Sequence, residues 1–169
     1  MIDKHDKGMV AFEDIFEIVK GLCVHGEPVV DDTMTPRGVK IHPADVKAVC
    51  SALREHKALF FDMLSCLTAI DNGPEASTIE VVYSLYSIPF DHHLSLKVTL
   101  PRDNPEIDSV EGIWKTANWH EREAYDLLGV VFSGHPDLRR ILLPADWQGH
   151  PLRKDYQEQA YYRGVKVGY

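Results

Sequence analysis

His120-Glu121-Arg122-Glu123 is the stretch whose residue types could do chemistry. Zinc hydrolases grip their metal with HExxH, two histidines one helical turn apart. One turn after His120 stands Ala124, so the second ligand is missing. Glu121 and Glu123 make a poor acid–base pair, because only residues three or four apart share a helix face. His92 and His93 have no partner at ligand spacing and read as a solvated loop tip. His135 and His150 each sit inside a Gly-His-Pro and read as turn contacts. Cys23, Cys50 and Cys66 are too scattered for a disulfide framework or a CxxC site, so they read as free thiols, with Cys50 in the core. No GxGxxG, GxxxxGK[ST] or GxSxG occurs. The sequence therefore predicts no catalytic residue, no metal site and no cofactor site in this chain.

The 169 residues suit one domain, with or without an appendage. A net charge of −8 argues against nucleic acid as a partner, since such binders carry a basic domain or stripe. The first residues, MIDKHDKGMVAFEDIF, contain no uninterrupted apolar run of the kind a secretory signal needs. No stretch approaches the ~18 apolar residues of a membrane span. These features predict a cytoplasmic protein that meets a membrane only through partners.

The elements that must position these groups are legible from periodicity. Phe12, Ile15, Phe16, Val19 and Leu22 recur at helical spacing. VVDDTMTPRGVKI reads as two short strands around a Pro–Gly turn. His42-Pro43 opens a second helix with the buried stripe Val46, Val49, Cys50 and Leu53. Phe60 to Ile70 is mostly apolar and reads as a well-buried strand, closed by Asp71-Asn72-Gly73-Pro74. Ile79, Val81, Tyr83, Leu85 and then Leu94, Leu96, Val98, Leu100 alternate with mostly polar residues, the pattern of antiparallel strands with one face on the core. Asp108 with Glu111 resembles a capping box and predicts a short helix there. A longer helix covers NWHEREAYDLLG, with Ala124, Leu127, Leu128 and Val131 on one face and Glu121, Arg122 and Asp126 projecting elsewhere. The whole predicts an α+β two-layer domain over residues 1–131, with a mixed, largely antiparallel sheet and helices packed on one face. An extended irregular C-terminal arm, 132–169, follows.

The arm is the unusual part. Gly134 to Tyr156 carries Leu138, Ile141, Leu142, Leu143, Trp147, Leu152 and Tyr156 without a period of 2 or 3.6. It also carries four cations, Arg139, Arg140, Arg153 and Lys154, against Asp137, Asp146 and Asp155. Exposed ion pairs contribute only about 0–1 kcal/mol each, too little to order such a segment. Truncating one member of a buried interface pair costs ~2–5 kcal/mol. Arginines beside Trp147 and Tyr156 match the composition of interface anchors. The arm is thus expected to lie across a partner, the alternative being that it wraps its own domain.

Glu121 to Tyr156, in the order ERE, YD-LG, F-GHPDLRRIL, DW-GHPLRKDY, resembles the signature region of the small soluble peripheral-arm subunit of respiratory complex I. FFDMLSCLTAID and LKVTL also sit where that family places strands. The resemblance implies a non-catalytic structural subunit of a proton-translocating NADH:quinone oxidoreductase, in the peripheral arm at the cytoplasmic face of the membrane. It implies FMN and iron–sulfur clusters on other subunits and none here. It implies docking on the large quinone-site subunit and on the adjacent iron–sulfur subunit through Glu121, Arg122, Glu123, His135, Arg139, Arg140, Trp147, His150, Arg153, Lys154, Asp155 and Tyr156. A homologous subunit of a membrane-bound nickel–iron hydrogenase, or of a dehydrogenase with another electron donor, is the alternative reading. From residues alone, a hydrolase built on the HERE cluster and a stand-alone binding module also stay open.

Overall fold

The computed structural model describes residues 10–167. Helix α1, Phe12–Leu22, forms on the expected stripe and buries Ile15 and Val19. Glu13 and Asp14 in its first turn and Lys20 in its last complement the helix dipole. Strands β1 (Val29–Asp31) and β2 (Gly38–Lys40) pair antiparallel, as the Pro–Gly turn predicts. A 3-10 turn, Pro43–Asp45, then leads into α2, Val46–Glu55, and the His42 ring accepts the Ala44 N–H at its start.

Three long strands carry the sheet: β3 (Met63–Asp71), β4 (Thr78–Ser87) and β5 (His92–Pro101). They form an antiparallel meander, and β2 joins β5 in parallel with Val39 opposite Leu96. The order β1-β2-β5-β4-β3 makes the sheet mixed but mostly antiparallel. Burial along β4 alternates without exception, so a single face packs on the helices. That face, Ile79, Val81, Tyr83, Leu85 and Leu94, Leu96, Val98, Leu100, shares one core with Ile15, Val19, Val46, Val49, Cys50 and Leu53. Helix α3, Ala117–Leu128, adds Ala117, Ala124 and Leu128 to that core and packs against the edge strand β3. Short strands β6 (Glu106–Asp108) and β7 (Val131–Ser133) pair in parallel beside it.

Four local expectations are corrected. The strand predicted from Phe60 begins at Met63 and buries only part of its length, because β3 is an edge strand with one wet face. Asp108 to Glu111 starts no helix; Asp108 ends β6, and the loop after it is pinned by Glu121 from α3. His92 is no loop tip: it is buried as the first residue of β5, between Phe61 and Phe90, and donates Nε2–H to the Leu59 carbonyl at 2.8 Å. Val131 lies beyond α3, in β7.

Candidate functional site

Two buried carboxylates decide where the arm goes. Asp126, on α3, has no exposed side-chain surface. Its Oδ2 accepts three consecutive amides of the arm, Ile141 at 3.0 Å, Leu142 at 2.8 Å and Leu143 at 2.9 Å. Its Oδ1 takes Nη1 of Arg140 at 2.7 Å. Burial would raise this carboxyl, but the Leu143 amide, the Arg140 guanidinium and the Leu142 and Ile141 amides together outweigh it and hold the group below the usual range. An irregular chain with no ladder of its own thereby has its backbone donors satisfied inside the protein.

The same arm closes the end of α3. The last carbonyls of a helix lack intrahelical partners, and cations are favoured there. Arg140 Nη1 and His150 Nδ1 donate to the Asp126 carbonyl at 2.9 and 3.0 Å. The Leu152 N–H donates to Leu127 O at 3.1 Å and Arg153 Nε to Leu128 O at 2.8 Å. Gly129 ends the helix in the left-handed region, φ +78°. A Cβ there would stand 2.6 Å from His150 Nε2, so the close approach of the arm requires glycine. Burial first, and then the neighbouring Arg153 and Arg140 charges, lower the His150 pKa against the pull of its carbonyl partner.

The second carboxylate is Asp71, the last residue of β3. Arg102 grips it with Nε at 2.7 Å and Nη2 at 3.0 Å, and the Lys154 and Gly73 amides donate to it at 2.8 and 3.1 Å. Arg102 also pairs with Asp155, through Nη1 at 3.1 Å and through Nη2. The Arg102 guanidinium holds Asp71 well below the carboxylate range, and Asp71 and Asp155 push Arg102 up. The arm is thus tied at Ile141–Leu143, at His150–Arg153 and at Lys154–Asp155.

The residues expected to face a partner therefore separate. Glu121 is wholly buried inside its own chain: Ser109 Oγ–H donates to it at 2.6 Å and the Val110 N–H at 2.8 Å, and burial pushes it up to about 7. Arg140, His150, Arg153, Lys154 and Asp155 make the contacts above within their own chain. Arg122 does not pair with Asp126 one turn on; its Nε donates to Arg139 O at 3.2 Å and its guanidinium lies 5.8 Å from the Trp119 ring. His135 accepts the Asp137 N–H at Nδ1, a turn contact as expected, and also reaches Asn118 O on α3 with Nε2. Trp147 donates Nε1–H to the Tyr156 hydroxyl at 3.1 Å. Arg139 and Glu123 are exposed, and so are Trp119, Leu142 and Leu152, whose exposure the sequence did not single out. Leu152 closes a hollow between β3 and α3 lined by Leu67, Thr68, His120 and Ala124. Among the described residues, no group of three His, Cys, Asp or Glu side chains is placed to hold a metal ion. No helix among them is long and apolar enough to cross a membrane.

Residues 39–162 match the family model described as the respiratory-chain NADH dehydrogenase 30 kDa subunit. The chain belongs to that family. It is 50% identical over 118 residues to the NADH-quinone oxidoreductase C subunit of Chlorobium phaeobacteroides, covering 69% of this chain and 70% of the relative. It is 48% identical over 124 residues to the corresponding protein of Chloroherpeton thalassium, covering 73% of this chain but only 51% of that one. Among solved structures it resembles Nqo5, as its trypsin-resistant fragment 1–134, with a TM-score of 0.60 and 29% identity over 75% of this chain and 98% of the fragment. A chain of an archaeal membrane-bound sulfane sulfur reductase has the same fold, TM-score 0.71, at 22% identity over 88% of this chain and 87% of that one. The 30 kDa family thus accounts for most of the α+β domain and for most of the arm.

Proposed function

We propose that this chain is a non-catalytic structural subunit of the peripheral arm of a proton-translocating NADH:quinone oxidoreductase. Its arm docks on the large quinone-site subunit and the adjacent iron–sulfur subunit, at the cytoplasmic face of the membrane. FMN and the iron–sulfur clusters sit on other subunits. Family membership supports the assembly. The observation that supports docking is the arm's division of labour. Asp126, Asp71 and the end of α3 take up the Ile141, Leu142, Leu143, Leu152 and Lys154 amides and the Arg140 and Arg153 guanidiniums. Exposed beside these ties are Arg139, Leu142 and Leu152 of the arm and Trp119 of α3, with Arg122 bridging Trp119 and Arg139. Trp and Arg dominate interface energetics, and an arm already held in shape loses little entropy on binding.

The test is recovery of the complex from the organism's own membranes with a tagged chain in gentle detergent. Reversing Arg140 would break its tie to Asp126 and confuse folding with docking. The informative variant is Arg139→Glu with Leu142→Asp, both exposed, where surface changes are expected to alter stability by within about ±0.5 kcal/mol each. We expect recovery of partner subunits, flavin and cluster absorbance and NADH:quinone activity with the wild-type chain, and a severe drop with the double variant. Undiminished recovery with the double variant refutes the docking surface. Clusters with hydrogenase activity in place of NADH oxidation would move the chain to the related hydrogenases.

A further inference from the structure

The DWQGHPLRKDY stretch ends at Tyr156, and the docking reading leaves the segment after it without a role. That segment folds back. Strands β8 (Tyr161–Tyr162) and β9 (Val165–Lys166) pair antiparallel, and the Val167 N–H reaches Ala160 O at 3.1 Å. The two turn residues, Arg163 and Gly164, both have positive φ, +48° and +82°, the geometry that matches a two-residue turn to strand twist. A hairpin this short is marginal in isolation, so it needs outside support.

Asp146 and Trp147 supply such support. The Tyr162 hydroxyl donates to Asp146 Oδ1 at 2.7 Å, while Arg163 brackets Oδ2 with Nε at 3.1 Å and Nη2 at 2.9 Å. The Tyr162 ring meets the Trp147 indole at 5.2 Å and 47°, a tilted arrangement favoured between aromatic rings. Trp147 is bonded in turn to the Tyr156 hydroxyl. Gly149, φ +78°, lets the Tyr156 ring come within 2.9 Å of where a Cβ would stand. Asp146, Trp147 and Tyr156 therefore form a seat, and its occupant is the hairpin.

We infer that residues 160–167 are a strap that clasps Asp146 and Trp147 and holds residues 144–149 of the arm in shape. Asp126 ties Ile141–Leu143, and the end of α3 and Asp71 tie 150–154; between them, Arg140 Nη2 reaches Gly149 O, and the turn at Pro144–Trp147 has a single backbone bond of its own, Trp147 N–H to Pro144 O at 3.0 Å. The exposed Arg163–Asp146 pair holds little by itself, but coupled to the hydroxyl bond and the ring contact it fixes the turn from outside. That the strapped segment serves a partner rests on the function proposed above; the strap itself does not.

Hydrogen exchange read by mass spectrometry on the full chain tests this, comparing wild type with Tyr162→Ala and Tyr162→Phe. In Tyr162→Ala the amides of 145–149 are expected to exchange about tenfold faster, while Leu152, Lys154 and β3–β5 keep their protection, the signature of local opening. Tyr162→Phe, which keeps the ring and loses the hydroxyl, is expected to fall between. Unchanged exchange over 145–149 in Tyr162→Ala overturns the strap, as does acceleration spread equally through the sheet. If Tyr162→Ala loosens the arm yet the chain is recovered with its partners as well as wild type, the strap stands and the docking reading of this segment falls.

Discussion

Asp126→Asn changes almost no volume and removes one charge, so its effect reads the tie between α3 and the arm. The three amides of Ile141, Leu142 and Leu143 sit on one carboxylate oxygen, and the Asn carbonyl can keep them. The new NH2 group then faces Arg140 Nη1, donor against donor, where a 2.7 Å ion pair stood. Breaking a buried pair by removing one partner costs ~3–5 kcal/mol. Arg140 retains two carbonyls, Asp126 O and Gly149 O, which reduces the expected cost to roughly 2–4 kcal/mol. The reporters are the three amides themselves, since each is bonded to this carboxylate. If the arm opens locally, their exchange accelerates about 30- to 700-fold, a factor of ten per 1.4 kcal/mol. Acceleration below about threefold, with an unchanged melting temperature, would refute the claim that Asp126 fixes the arm. Acid gives a second reading. The folded Asp126 carboxyl lies below its unfolded value of about 3.9, so its contribution is present above that pH and lost as pH falls through the lower, folded pKa.

Three further outcomes follow from the same geometry. Arg102→Met strands Asp71 without its bidentate partner and frees Asp155, so calorimetry is expected to record a melting temperature lower by several degrees, and urea unfolding a lower midpoint. Gly129→Ala forces a left-handed alanine against His150 and is expected to cost roughly 1–3 kcal/mol in urea unfolding, with faster exchange at Leu152. Glu121 is raised in the folded state to about 7, against about 4.3 unfolded, so its stability contribution is complete below pH ~4 and declines as pH rises through 7. Glu121→Gln is expected to remove that decline, read as the pH dependence of the unfolding free energy between pH 4 and 8.

The sheet and the helices were legible because their signals are local. β4 and β5 show a period of two over much of their ten residues each, and the stripe of α1 repeats at three and four. The errors share one cause, which is satisfaction from a distance. Asp108-x-x-Glu111 carries the letters of a helix cap, yet the donors of that loop are met by Glu121, eleven residues on from Val110. His92 follows an Asp in a polar-looking loop and is buried by Phe61, which lies across the structure on another segment. The arm shows no period because its backbone bonds go to a side chain and to helix carbonyls rather than to a neighbouring strand. Of the anchors, Asp126 lay inside the YD-LG motif and could have been found there. Asp71 and Arg102 stand at strand ends, where a charged residue carries no signal of burial.

Lys154 donates its N–H to Asp71, 83 positions earlier, Asp155 pairs with Arg102, and other ties of the arm go to α3. A chain is made from its amino end, and domains fold as units while synthesis continues. The meander and α3 are therefore the mould, finished before the arm that is cast on them. A misfolded sheet leaves Asp71 and Arg102 out of place, and the arm has nowhere to set. Presenting a shaped arm thus certifies that the rest of the chain has folded, and under the docking proposed above a partner reads the whole fold by touching the arm alone.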